Sequence, residues 1–407
     1  ETYTRATPNL WSTAAFDDAL GLVYVPLGVA TPDYWGAPRS KEADKYSNSV
    51  VALDIATGRP RWHFQAIHHD LWDYDLPPQP ALVDVPDGHG STIPALIQGT
   101  KTGQIFVLDR RDGTPILPIT EKPVPQGGLP GDRTAPTQPY SAMPAIGAEP
   151  LDETKMWGIT PVDQLWCRIQ FKKLRYEGEF TPPMLGQPAL MYPGYFGGMN
   201  WGSVSVDETR DLLIVNDMRI AIRTEALPRA QSDSLAQQLQ TTPPKGYVDL
   251  AVMNGAPVAM LNHMFMSPLD VPCIAPPWGT MTAIDLKKKS IVWQVPMGTT
   301  RDTGPAGLKL HLPIPLGLPT LGGAVSTQTG LIFFAGTQDY YLRALDSNTG
   351  KELWKARLPV GSQASPMTYI SKKSGRQFVV VVAGGTRLSK DKGDYVVAYA
   401  LPNKATH

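Results

Sequence analysis

One pattern recurs along this chain and limits what it can fold into. At its fullest it reads Asp-x-x-Thr-Gly-x-x-x-Trp. It appears in Val51-Ala52-Leu53-Asp54-Ile55-Ala56-Thr57-Gly58-Arg59-Pro60-Arg61-Trp62 and in Arg343-Ala344-Leu345-Asp346-Ser347-Asn348-Thr349-Gly350-Lys351-Glu352-Leu353-Trp354. Thr282-Ala283-Ile284-Asp285 leads to Trp293, and Phe106-Val107-Leu108-Asp109-Arg110-Arg111-Asp112-Gly113 ends in Ile116-Leu117 without the Trp. Each copy reads as a strand ending in Asp, a tight turn closed by Gly at positive φ, and a return strand carrying the Trp. The Asp accepts hydrogen bonds from turn amides while the Trp packs between neighbouring sheets, which is how a propeller joins its blades.

Between the copies lie further strands at Leu22 to Leu27, Leu212 to Asn216, Leu331 to Ala335, Phe378 to Val382 and Tyr395 to Ala400. With 40 Pro and 37 Gly punctuating Val-, Ile- and Tyr-rich runs, the chain reads as all-β, with four to five blades. Two segments fall outside the repeat, 121–185 and 223–277, the second with a helix predicted around Ser232 to Gln240. Both read as long insertions over one face of a single domain spanning 1–407. The 37 basic residues balance 37 acidic ones, so there is no basic surplus for nucleic acid or anionic lipid. The longest apolar run, Phe378 to Ala383, is far short of a membrane span, and the Glu-Thr-Tyr-Thr start is the form of a mature or trimmed chain. Cys167 and Cys273 lack CxxC spacing and read as one disulfide or two buried thiols.

The stretch His68-His69-Asp70-Leu71-Trp72-Asp73-Tyr74-Asp75 stands where the strand-and-turn pattern breaks off. It packs two imidazoles, an indole and three carboxylates into eight residues, whereas ordinary loops solvate charge with Lys, Glu and Ser. Aspartates in such loops also cap turns and a Trp also anchors the core, so the stretch by itself is as consistent with structure as with chemistry.

Taken together, the repeat, the His68 to Asp73 loop, Thr100-Lys101-Thr102-Gly103 before Phe106-Val107-Leu108-Asp109-Arg110, and the ending Gly393-Asp394-Tyr395-Val396-Val397-Ala398-Tyr399-Ala400-Leu401-Pro402 resemble the membrane-bound quinoprotein dehydrogenases. These oxidise glucose, quinate or related polyols with pyrroloquinoline quinone (PQQ). The resemblance implies an eight-bladed propeller of which this chain is an incomplete C-terminal portion, completed by a second chain or a cleaved N-terminal portion. It places the protein on the periplasmic face of the bacterial inner membrane, with the anchor outside this chain and ubiquinone as electron acceptor. That compartment is oxidising, so Cys167 and Cys273 are expected to be bonded to each other.

Residue by residue, the resemblance makes Asp73 the base that takes the hydroxyl proton and a neighbour of the bound cation, Ca2+ or Mg2+. Lys101 contacts the quinone oxygens, where its charge stabilises the negative charge that builds on reduction. Trp11 matches the indole stacked under the cofactor. Val29, eighteen residues later, has no donor atom where the wider family has a metal-ligand Asn, so Asp33 stands in as a second candidate ligand. Asn200, Trp201 and Asn216 fall at family positions near the cofactor, Asp339 at one that positions cofactor or Lys, and Gly384-Gly385 beside the cofactor. His68, His69, Asp70 and Asp75 are read as groups that hold the loop.

At Thr386 the glucose-oxidising members carry a His, and Arg387 follows immediately. A planar guanidinium suits the carboxylate that distinguishes quinate or shikimate from glucose. The expected activity is therefore quinate or shikimate oxidation, with glucose dehydrogenase as the alternative within the family. A non-enzymatic propeller scaffold, or a carbohydrate-binding or lyase-type propeller, is the alternative outside it.

Overall fold

The structure is a computed structural model that describes residues 7–87, 89–241, 247–387 and 389–402. Antiparallel sheet dominates: among the described residues, four sheets have four strands, two have three and one has two. Three α-helices accompany them, α1 (Lys41–Tyr46), α2 (Pro161–Lys173) and α3 (Arg229–Thr241). The all-β expectation holds.

The chain divides into two compact units. Unit 1 comprises Glu1–Asn200, Arg219–Pro276 and Gly304–Gly307; unit 2 comprises Trp201–Met218, Pro277–Thr303 and Leu308–His407. In unit 1, strands Ala15–Asp17, Leu22–Pro26, Ser49–Asp54 and Pro60–Gln65 form one meander, and Leu22–Pro26 alternates buried with half-buried residues as a one-sided strand should. Leu22, Tyr24, Val50 and Ala52 from this sheet meet Leu96, Phe106 and Leu108 from the next, with Trp62 and Phe64 packed against them. Unit 2 repeats the arrangement with Ile214, Met281 and Ala283 facing Ile332, Phe334 and Leu345.

The recurring turn has the geometry its sequence predicts. Asp54 Oδ1 accepts from the backbone N and the Oγ1 of Thr57, both at 2.9 Å, and Gly58 at φ +67° donates to Asp54 O at 2.8 Å. Asp346, Thr349 and Gly350 repeat this almost to the decimal. In the third copy Lys289 takes the glycine's place and still adopts φ +57°, because Asp285 holds the same turn from Lys287 N and Lys288 N. In all three, the strand register shifts one residue before the Asp, a bulge that tightens the twist.

The turn glycine also serves as a seat for an indole. A Cβ on Gly113 would lie 2.6 Å from the Trp62 ring, and one on Gly350 would lie 2.6 Å from the Trp293 ring, whose Nε1 donates to Ser347 O at 2.8 Å. Trp62 and Trp293 thus each dock on the bare turn of the next sheet.

The segment 223–277, read from sequence as an insertion without a core of its own, carries most of a sheet. Ile222–Pro228, Val248–Ala251 and Val258–Met264 join Ala189–Met191 in a four-stranded sheet, with α3 packed on it. Its alternation is hidden in the sequence because Thr224 and Asn262 are buried at positions where an apolar residue would mark a strand. The segment 121–185 contributes the pair Ile119–Pro123 with Thr137–Ser141, and then α2. Cys167 of α2 is bonded to Cys273, with Cα atoms 5.4 Å apart.

Gly113→Ala should cost about 2 to 4 kcal/mol, from overpacking against Trp62 plus a left-handed side chain. Gly58→Ala, where a Cβ meets nothing within 4 Å, should cost only about 1 kcal/mol. Urea unfolding of the two variants measures the difference, and equal costs would show that the indole does not rest on the turn.

Candidate active site

The stretch from Ile67 to Asp75 is held from several sides. Asp70 is fully buried, and its carboxylate accepts from Trp72 N and Tyr74 N, both at 2.7 Å, and from Asn48 Nδ2 at 2.9 Å. Burial pushes Asp70 up to about 6, against the pull of these amides and of Arg39. Arg39 donates to the carbonyls of Asp70, Pro32 and Asp33, tying the loop to 32–39. Trp72 Nε1 donates to Thr181 O at 2.9 Å and Tyr74 Oη to Pro193 O at 2.6 Å, with Phe180 edge-on against both rings. These two aromatics are anchors.

His69 is a clamp. Its Nδ1 faces Asp44 of α1 at 2.8 Å and its Nε2 faces Asp132 at 2.9 Å. Both ring nitrogens must donate to satisfy two carboxylates, so the ring is an imidazolium. Burial opposes that charge, but hydrogen bonds to Asp132 and Asp44 outweigh it and hold His69 above its ordinary value. Burial likewise opposes both carboxylates, and His69 holds each of them below the usual range. Gly36 packs on the imidazole so closely that a Cβ would sit 2.6 Å from it. His68 meets Gln65 and Glu121 instead.

With Trp72 and Tyr74 turned inward, Asp73 adopts φ +61° and meets Lys101. Lys101 Nζ donates to Asp73 O at 2.6 Å, to Asp75 Oδ2 at 3.0 Å and to Asp73 Oδ1 at 3.3 Å. The ammonium is buried; desolvation opposes its charge, yet the two carboxylates hold it above its ordinary value. Asp75 Oδ1 also accepts from Val29 N at 2.8 Å. Burial raises Asp75, but Lys101, a hydrogen bond from Asp73 and the Val29 amide together keep it below the carboxylate range. Asp73 moves the other way: burial raises it, Lys101 lowers it, and the negative charge of Asp75 raises it further, which leaves it well above the usual carboxylate range. Asp33, raised by burial and by Asp75, joins the same acidic cluster.

Lys101 is placed by its turn. Gly103 at φ +82° leaves room for Ile146 O, which a Cβ would strike, and Gly197 lies on the lysine stem, where a Cβ would come within 2.6 Å of Cγ. Gly198 N donates to Lys101 O at 2.6 Å. The half-exposed indole of Trp11 lies beside Gly28, whose missing Cβ makes way for Asp75 Oδ1 and Trp11 Nε1. Trp11, Asp75, Lys101 and Asp73 therefore stand together in unit 1. Asn200 spends its Nδ2 on Phe196 O at 2.7 Å and so closes a turn.

The remaining candidates lie in unit 2. Trp201 Nε1 donates to Gln363 O at 2.9 Å, and Arg387 N donates to Gln363 Oε1 at 3.1 Å, so Gln363, which the sequence did not single out, ties the two. Thr386 is buried against Gly361, and its Oγ1 finds no hydrogen-bond partner among the described residues. Gly385 at φ +103° donates to Gly361 O at 2.8 Å, and Gly384 precedes it in the same strand. Asn216 Nδ2 donates to Thr320 Oγ1 and Gly322 O. Asp339's carboxylate accepts from Arg343, Thr337 Oγ1 and Thr299, and the carboxylates that meet Lys101 are Asp73 and Asp75.

A family of PQQ proteins, described as glucose/ethanol/alcohol dehydrogenase, beta-propeller domain, matches residues 1–379. The chain belongs to this quinoprotein family. Similar curated proteins include a probable quinate dehydrogenase (quinone) of Xanthomonas campestris pv. juglandis, 51% identical over 406 residues that make up 98% of this chain and 51% of that protein. The quinoprotein glucose dehydrogenase of Escherichia coli (strain K12) is 43% identical, over 99% of this chain and 50% of that protein. The quinoprotein chain thus spans about half the length of the curated relatives it matches. Among solved structures, the quinohemoprotein alcohol dehydrogenase from Comamonas testosteroni aligns with a TM-score of 0.61 over 97% of this chain and 48% of that one; at 21% identity it shows the fold alone.

The site suits a flat acidic quinone in part of its chemistry: a half-exposed indole face lies near a buried, carboxylate-aimed ammonium. Asp33, Asp73 and Asp75 offer carboxylate oxygens, the donor type a hard cation takes. Among the described residues, however, no three His, Cys, Asp or Glu side chains gather into a cage, so these residues alone do not complete a metal site. No helix among the described residues is long and apolar enough to cross a membrane.

His69→Gln should destabilise the protein by about 3 kcal/mol near pH 6, because it leaves two carboxylates with one donor. A group raised in the folded state gives its full stability below its unfolded value, about 6.5 for His, and loses it as pH rises through the folded value. The gap between wild type and variant should therefore narrow on the alkaline side, as read by denaturant unfolding across pH. A gap that stays constant with pH would mean His69 is held neutral.

Proposed function

We propose that this chain is the PQQ-binding part of an eight-bladed quinoprotein that oxidises a ring hydroxyl of quinate or shikimate to the ketone and passes electrons to ubiquinone. The observation that carries the reading is the buried Lys101 ammonium fixed by Asp73 and Asp75 beside Trp11. A propeller that only binds partners has no use for such an arrangement.

Bound PQQ supplies the two-electron acceptor for the substrate's hydride. Lys101 offers a cationic donor where negative charge builds, and Asp75 keeps that donor aimed and charged. Asp73 takes the hydroxyl proton; a Ca2+ or Mg2+ ion, if held by Asp73 and Asp33 with further ligands, would supply positive charge that favours the carboxylate form of Asp73. The family resemblance assigns Asn200, Trp201, Asn216, Gly384 and Gly385 to the cofactor and Thr386 and Arg387 to the substrate. Arg387 follows a buried threonine whose hydroxyl has no hydrogen-bond partner among the described residues, and its own backbone N donates to Gln363 Oε1. The greater identity to a quinate dehydrogenase, 51%, than to a glucose dehydrogenase, 43%, agrees with a pocket for a carboxylated ring.

The same reading places the protein at the periplasmic face of the inner membrane and has a second chain or N-terminal portion complete the ring. Two features support that completion: the Gly58 turn carries no indole where Gly113 and Gly350 each do, and Trp354 remains exposed.

The test is a side-by-side assay of quinate, shikimate, glucose and a neutral cyclic polyol on protein supplied with PQQ, divalent cation and the completing portion. Quinate or shikimate should be oxidised fastest. Asp73→Asn should keep PQQ binding and lower turnover about 10²- to 10⁴-fold. Arg387→Ala should raise KM for quinate about tenfold or more and leave glucose unaffected. Faster oxidation of glucose, or undiminished quinate activity in Arg387→Ala, would return the protein to the sugar-oxidising branch.

A further inference from the structure

Helix α2 turns its apolar side outward. At about 100° per residue, Val162, Leu165, Trp166 and Ile169 share one face. Val162 is 78% exposed, Leu165 54% and Ile169 46%, and Ile159, just before the helix, is 45% exposed. A surface helix ordinarily does the reverse and buries such a stripe. Here the side facing the protein carries Asp163 and Cys167. Asp163 accepts from Ile159 N and takes the Thr160 cap at its own amide, while Cys167 is bonded to Cys273. Trp157 N donates to Cys273 O at 2.8 Å, and Met156 bridges to Ile274. The disulfide and these bonds fix the helix's roll, so it cannot turn to cover the stripe.

The charge at the C-terminal end of the stripe is mostly positive. Lys172 and Lys173 continue the same face in the last turn, and Arg168 flanks it. Glu153 pairs with Arg168 at 2.8 Å and Lys172 at 2.6 Å, leaving three cations against one carboxylate at that end. An exposed apolar patch of this kind marks an interaction surface. Protein interface cores are depleted in Lys, whereas a Leu, Ile and Trp stripe ending in lysines is the composition of a helix lying in a lipid headgroup region.

We propose that α2 is an interfacial helix that lays Val162, Leu165, Trp166 and Ile169 into the surface of a bilayer with anionic headgroups. Lys172 and Lys173 extend from the buried stripe to reach the phosphates. The docked face is rigid, because the disulfide holds it before any lipid is met. This goes beyond the proposed activity and needs neither PQQ nor substrate, so the two succeed or fail separately.

Co-sedimentation of the chain with phosphatidylglycerol/phosphatidylethanolamine vesicles, and with phosphatidylcholine vesicles, tests it. The chain should bind the anionic vesicles more tightly, and less so at high salt. Leu165→Gln with Ile169→Gln should weaken binding about tenfold or more. Lys172→Gln with Lys173→Gln should weaken it about fivefold or more and remove the preference for anionic lipid. All four positions are exposed, and thermal melts matching wild type verify that the variants fold. Absence of binding to anionic vesicles, or wild-type binding by both double variants, overturns the proposal. Self-association of the chain that Leu165→Gln with Ile169→Gln abolishes, without vesicle binding, also overturns it and assigns the stripe to a second copy.

Discussion

The site depends on one buried ammonium between two carboxylates. Lys101 has given up water, and its charge survives only because Asp75 at 3.0 Å and Asp73 at 3.3 Å replace what hydration supplied. The carboxylates in turn differ because of their surroundings. Asp75 also receives the Val29 amide and is held below the usual carboxylate range, while Asp73 has less to offset its burial and is held above it. Two like groups two residues apart are thus shifted in opposite directions by their surroundings.

Everything nearby serves that separation. Asp73 points at Lys101 because Trp72 and Tyr74 on either side are committed to Thr181 and Pro193 through their polar tips. Asp70 pins the loop from beneath and His69 bolts it to α1 and to Asp132. The glycines at 103, 197 and 28 let backbone approach where any side chain would collide with Ile146, Lys101 or Asp75. These supports stand on sheets joined by Trp62 resting on the Gly113 turn, so the repeat that defines the fold also sets the rigidity of the site.

The repeat was legible because the Asp, Gly and Trp in each copy answer to local rules of turn geometry and to one docking contact. Lys289 shows the limit: the turn persists without its glycine, held by Asp285. Asp73 and Lys101 are 28 residues apart and no spacing rule joins them; only resemblance to a family did so. Asp75 read as a loop-holding residue, yet it is the nearer carboxylate to Lys101, a distinction of a few tenths of an ångström that sequence does not encode. Asp339 read as a residue that positions cofactor or lysine, and the sequence did not mark its ion pair with Arg343 four residues on. The partners of His69, Asp44 and Asp132, lie 25 and 63 residues away. The helix at 161–173 is not read from the sequence, which marks 121–185 only as an insertion, and the exposure of Val162, Leu165 and Ile169 is shown by the structure.

Titration of the chain with PQQ, followed by calorimetry for wild type, Lys101→Ala and Asp75→Asn, bears most directly on the claim that the carboxylate-held ammonium is the cofactor's anchor. The account predicts saturable binding by wild type, weakened about tenfold or more in Lys101→Ala. It predicts a smaller loss in Asp75→Asn, where the ammonium remains but is no longer aimed. Binding of equal strength in all three proteins would contradict it.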